Sequence, residues 1–209
     1  MIVFVISLAL GLSSHAATQK SAEELYEVAY SSSGTMPERW SAMTLAIQTD
    51  KEVSEKEMQK ALTHPEWFVR NAALVGLKES HPELAERAAF RLLSDKAMVV
   101  RVAAINALPN DLSTSKRELL WAELYQKYNF RKKQSLWVRG HIIEKLAQAP
   151  QKREYPNFTQ SLSDSDDRVV NAAVEGLEKL LNRKMGSAAA TLKEKKNLWL
   201  AWTRKNPNL

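Results

Sequence analysis

Four nine-residue stretches decide the fold: VRNAALVGL at Val69–Leu77, VRVAAINAL at Val100–Leu108, VRGHIIEKL at Val138–Leu146 and VVNAAVEGL at Val169–Leu177. They align without gaps, and their starts lie 31, 38 and 31 residues apart, a period typical of stacked helical units. Val69, Ala73 and Leu77 fall at i, i+4 and i+8, with Ala72 and Gly76 beside them, so each stretch presents one apolar helical face. The small side chains at Ala72, Ala73 and Gly76 predict close approach of a neighbouring helix. At the 38-residue step His141, Ile142 and Lys145 replace Ala103, Ala104 and Ala107, which predicts a bulkier junction there.

Outward from these stretches, each signature helix is preceded by a second amphipathic segment: Ser54–Leu62, Pro82–Leu93, Lys116–Tyr128 and Tyr155–Leu162. Ser54…Glu57, Thr63…Glu66, Ser80…Glu83 and Ser115…Glu118 fit the S/T-x-x-E capping box, in which side chains satisfy the first free N–H groups of a helix. Pro65 and Pro82 sit where a first helical turn tolerates a missing N–H. Ser163–Asp167 lacks the alternating ligands and glycine of a calcium loop and reads as a helix cap. The expectation is an all-α chain: a right-handed α-α superhelix of about four to five helix pairs. A C-terminal helix carrying Trp199 and Trp202 should close it, its outer face made polar by Lys193, Lys195, Lys196, Arg204 and Lys205.

The units resemble HEAT repeats, including the bacterial PBS-lyase-like kind. The residues that carry the likeness are the V-R-x-A-A-x-x-(G/A)-L core at Val69–Leu77 and Val100–Leu108, and an acid six residues before the arginine, as in Asp95 and Arg101. The chain departs from that pattern where His64 precedes Arg70, where Lys133 precedes Arg139, and where Val170 follows Asp164. The likeness spans residues 37–182, with Trp40, Met43 and Ile47 marking a degenerate first unit. It implies a solenoid fold and says little about function.

Composition narrows the function. With 44% hydrophobic and 26% charged residues, six glycines and seven prolines, the 209 residues suit one helical domain. There is no cysteine, which removes thiol nucleophiles, Cys-based zinc sites and disulfide support. Ile2–Leu12 is a nearly unbroken apolar run followed by Ser14-x-Ala16, so residues 1–16 are expected to be a signal peptide and residues 17–209 the repeat domain of an exported, periplasmic or secreted protein. The net charge of +6 lies wholly beyond residue 16 and leans toward acidic partners.

The four histidines are scattered, and no H-E-x-x-H, G-x-S-x-G or phosphate loop occurs. No catalytic residue, metal site or cofactor is therefore assigned. Arg70, Arg101 and Arg139 recur at the edge of the apolar stripe and are expected to form a structural ladder paired with acids, because a buried charge needs a partner. Lys127, Arg131, Lys132 and Lys133, interleaved with Tyr128 and Phe130, form a candidate basic patch at a helix C-terminus. A mixed column of Asn71, Lys78, Asn106, Glu144, Asn171 and Glu175 is the candidate partner surface. These features favour an exported, non-enzymatic scaffold or adaptor that binds a protein partner on its concave helix face. The alternative class is a nucleic-acid-binding protein related to the HEAT-like alkylpurine DNA glycosylases. For the scaffold, any binding of nucleic acid or an anionic envelope polymer is expected to be weak. A third class, a bilin lyase or phycobilisome-type chaperone, rests on the repeat resemblance alone.

Overall fold

The computed structural model describes residues 20–207; the apolar run Ile2–Leu12 and the expected cleavage site lie outside the described residues. Within them the chain is all-α, with eleven helices and one two-stranded hairpin. Five antiparallel pairs follow one another: α1 (Ala22–Tyr30) with α2 (Met36–Thr49), α3 (Glu55–Leu62) with α4 (Trp67–Ser80), α5 (Pro82–Leu92) with α6 (Met98–Ala107), α7 (Thr114–Leu124) with α8 (Val138–Gln148), and α9 (Tyr155–Ser161) with α10 (Asp167–Leu181). The second helix of each pair packs against the second helix of the next, α2 on α4 on α6 on α8 on α10, and α11 (Leu192–Lys205) closes the end against α10.

The signature faces form the seam of this stack. Val69, Ala73, Leu77, Val100, Ala104, Val138, Ile142, Leu146, Val169, Ala173 and Leu177 are all buried. Each Val, Leu or Ile so buried is worth about 1.5–3 kcal/mol, so the seam accounts for much of the cohesion. Close approach at Gly76 is real: a Cβ there would stand 2.9 Å from the Thr44 carbonyl oxygen and 3.0 Å from the Ile47 Cβ. Trp199 is fully buried in α11 and meets Trp202 edge to face at 5.5 Å, while Tyr155 donates to the Asn206 carbonyl at 2.6 Å and ties the cap to the fifth pair.

Helix ends differ from expectation. Of the four capping boxes read from sequence, only Ser54 caps a helix, accepting from the Glu57 N–H at 3.1 Å. Thr63 instead ends α3 and donates to the Gln59 carbonyl, and Ser80 is the last residue of α4, donating to the Gly76 carbonyl. Helix α7 starts at Thr114, so Ser115 lies inside it. Complete capping boxes occur at Ser21/Glu24, Thr35/Glu38 and Thr191/Glu194. Asp166 caps α10 as the Ser163–Asp167 reading expects, accepting from the Arg168 N–H at 2.9 Å. The seventh-to-eighth helix junction is the other correction. Helix α7 stops at Leu124 rather than Tyr128, and a 3₁₀ turn (Lys127–Asn129) leads into a hairpin of β1 (Phe130–Arg131) and β2 (Gln134–Ser135).

Candidate functional site: a ladder, a groove and a basic hairpin

The arginine ladder runs between repeats, not within them. Arg70 Nε and Nη2 each donate to Asp95 at 2.7 Å, and Arg139 reaches Asp164 at 3.1 and 2.6 Å, both 25 residues onward in the next pair. Arg39 pairs with Glu66 in the same sense, a rung the sequence reading missed although Arg39 stands 31 residues before Arg70. The expected pairing of Asp95 with Arg101 is therefore corrected: the Asp95 carboxylate serves Arg70, and Arg101 receives only its backbone carbonyl, at 2.7 Å. One acid spans two repeats because its loop lies beside the preceding signature helix.

Burial alone would raise the Asp164 carboxyl, but hydrogen bonds from Arg139 and from the Asp166 and Ser165 N–H groups outweigh it and hold it below its ordinary value. The unfolded chain then takes up the proton more readily. This rung's contribution is complete above about pH 4 and is lost as pH falls through the lower folded value. Urea denaturation at a series of pH values should show Asp164→Asn to be less stable near neutrality and less sensitive to acidification than the parent. Equal slopes would remove Asp164 from the acid response.

Arg101 breaks the series. Where Asp95 and Asp164 stand for its neighbours, its own next loop offers Gln126, Lys127 and Tyr128. Arg101 is 4% exposed, its Nη2 donates to the Tyr128 carbonyl at 3.3 Å, its guanidinium lies 5.5 Å from the Tyr128 ring centre, and its Nε has no partner. Among the described residues no carboxylate lies within ion-pair distance of it, and burial pulls its pKa down.

The loop that withholds this acid is the seven-residue excess of the 38-residue step. Its base is fixed: Asn129 is fully buried and donates to the Glu123 carbonyl, Phe130 lies under Arg139 with the guanidinium 4.4 Å from the ring centre, and Ser135 donates to Asp166. Its tip is a two-residue turn of Lys132 and Lys133, both at positive φ (49° and 67°), between the paired Arg131 and Gln134. Such a turn ordinarily takes Asn-Gly, and left-handed backbone costs a residue with a Cβ roughly 1–2 kcal/mol. Lys127, Arg131, Lys132 and Lys133 are exposed and none makes an ion pair with a described residue.

Beside the hairpin opens a groove of about 680 Å³ across the exposed faces of α2, α4 and α6, ending at Trp137. Its walls are mostly apolar. Met36 is 50% exposed and Trp67 and Trp137 each 41%, so three large apolar side chains stand open to solvent along one groove. Trp40 Nε1 donates to Asn71 Oδ1 at 2.9 Å, and Asn71 Nδ2 donates to the Val99 carbonyl at 3.3 Å, so the floor is held by hydrogen bonds that cross three inner helices.

Of the candidate partner column, Asn71, Lys78 and Asn106 line this groove. Glu144 lies farther along and pairs with Arg168 at 2.5 and 2.7 Å, an interaction that raises the Arg168 pKa. Asn171 donates to Glu175 at 2.8 Å, both exposed on α10 and outside the groove. Met36, Trp67 and Trp137 escaped the sequence reading because they sit at helix starts, off the apolar stripe. Among the described residues there is no group of three or more His, Asp or Glu that could hold a metal ion, and no helix long and apolar enough to cross a membrane. No protein-family model matches the chain, and comparison with curated proteins gives no match.

Proposed function

We propose that the protein is a non-enzymatic, HEAT-like interaction module, exported by its N-terminal apolar run, which binds an apolar segment of another protein in the concave groove. The observation that carries this reading is the exposure of Met36, Trp67 and Trp137 within one groove whose floor is fixed by hydrogen bonds. Inner helices stack 8–10 Å apart, so four of them span roughly 27 Å, the length of about eight extended residues. Aromatic side chains already presented by a rigid scaffold lose little freedom on binding, which suits them as anchors.

Selection from a library of random displayed peptides tests the reading. Recovered peptides should carry two or more large apolar residues. Trp67→Ser or Trp137→Ser, on variants with unchanged circular dichroism, should weaken them by about 2 kcal/mol, roughly thirtyfold. Peptides whose affinity ignores both substitutions would refute the groove as the binding surface.

A further inference from the structure

We infer that the Phe130–Ser135 hairpin is an acid-recognition element, and that the segment taken by the groove continues at one end into a run of Asp or Glu that meets Arg131, Lys132 and Lys133. The inference rests on the groove reading and adds to it the chemistry of the partner.

Three observations converge. First, the tip is built against its own backbone preference. The other described non-glycine residue at positive φ is Asn182, a residue type suited to that conformation at a helix end, whereas Lys132 and Lys133 are not. Strain retained at a surface turn points to a need for the side chains themselves. Second, the loop carries cations where its neighbours supply an acid, and Arg101 keeps a buried, unpartnered Nε directly beneath Tyr128; the nearby Glu123 carboxylate is engaged by Asn129 at the hairpin's base and not by the tip. Third, position fits. Lys133 is four residues from Trp137, so their Cα atoms are within about 14 Å of each other, and Trp137 forms the groove's end. Elsewhere along this face charges are already met: Arg168 by Glu144, and Lys145 by the Leu108 carbonyl and Asn110. The hairpin is where uncompensated charge borders the groove.

A second copy of this chain is a poor occupant, since a net charge of +6 repels itself. The chain's own residues 1–19 contain no Asp or Glu and so offer the hairpin nothing. An extended polyanion would need the mixed Lys78, Glu79 and Glu144 face to be uniformly basic. An acidic-apolar protein segment satisfies both surfaces.

The decisive variant replaces Lys132→Asn and Lys133→Gly together, which removes two charges while supplying the residues the turn prefers. Its melting temperature should hold or rise by about 2–4 °C, so lost binding cannot be blamed on misfolding. Library peptides selected on the purified full chain should carry an acidic run at one end. The Asn-Gly variant should bind a synthesised winner about tenfold more weakly, with a reduced salt dependence. Lys132→Arg with Lys133→Arg should bind normally, and the peptide with Glu and Asp changed to Gln and Asn should not distinguish the variants. Winners without acidic bias, or equal affinity for parent and Asn-Gly variant, would overturn the inference and leave the groove reading standing. Winners insensitive to Trp67→Ser and Trp137→Ser, or a selection that recovers none, would overturn both. Duplex DNA, single-stranded DNA and phosphatidylglycerol vesicles serve as competing probes: tight binding to any of them that the Asn-Gly variant abolishes, with peptide binding untouched, would reassign the hairpin to a polyanion.

Discussion

Glu154→Gln should cost about 3–5 kcal/mol of stability, the largest effect expected of any change of one functional group in this chain. Glu154 and Arg117 are 4% and 2% exposed at their side chains. One carboxylate oxygen accepts from Arg117 Nε at 2.7 Å and Trp121 Nε1 at 3.0 Å; the other accepts from Arg117 Nη2 at 2.7 Å and the Gln151 N–H at 2.8 Å. Donors therefore surround both oxygens, and a glutamine amide must turn its NH₂ toward a donor whichever way it lies. The arginine is left charged and unpaired in the interior, although Arg117 Nη2 keeps the Leu146 carbonyl at 2.8 Å. These bonds join α7, the end of α8 and the entry to α9, so the loss should loosen the fifth pair from the fourth. Urea denaturation followed by circular dichroism measures it. Changing both partners, Glu154→Leu with Arg117→Met, should recover most of the loss, since no buried charge remains. A double variant as unstable as Glu154→Gln would mean that packing rather than charge governs the site.

What could be seen in the sequence depended on how local the determining forces were. The seam residues Val69, Val100, Val138 and Val169 announce themselves because burial on one helical face repeats with the helix itself. Ladder partners do not. Arg101 and Asp95 are close in sequence, yet the carboxylate goes to Arg70 because stacking brings it beside the preceding repeat. Glu154 and Arg117, 37 residues apart, carry no local mark at all. The S/T-x-x-E pattern misled at Thr63 and Ser80 because two residues cannot say whether a hydroxyl begins one helix or ends another. Trp67 and Trp137 looked like ordinary helix-start residues, and only the stacking of α2, α4, α6 and α8 brings them to one groove. The hairpin was hidden for a different reason: Lys-Lys is not a turn signal, and the chain adopts the turn despite its composition.

Gly176→Ala should destabilise the protein by about 1–3 kcal/mol, even though alanine improves helix propensity by about 1 kcal/mol. Gly176 lies in α10 under the Phe158 ring of α9, and a methyl group there would come within 2.7 Å of Phe158 Cδ1, with Cε1 nearer still. The ring has nowhere to go: Phe158 is fully buried and presses edge-on against Trp121 at 4.9 Å, while Trp121 is itself held by Glu154. Gly140 makes the comparison sharp, because an added methyl there meets Arg168, whose Nε would stand at 2.7 Å. The Arg168 side chain is 39% exposed and bound to a Glu144 that is 38% exposed, so it can swing into solvent at the loss of a surface ion pair worth little. Gly140→Ala should therefore be neutral or mildly stabilising, although both glycines look crowded on a static view. Pairing Gly176→Ala with Phe158→Leu tests the cause, since the smaller side chain should relieve the clash and make the two effects less than additive. If Gly176→Ala alone leaves the denaturation midpoint unchanged, α9 and α10 are not locked by this contact, and the fifth pair is free to shift along the seam.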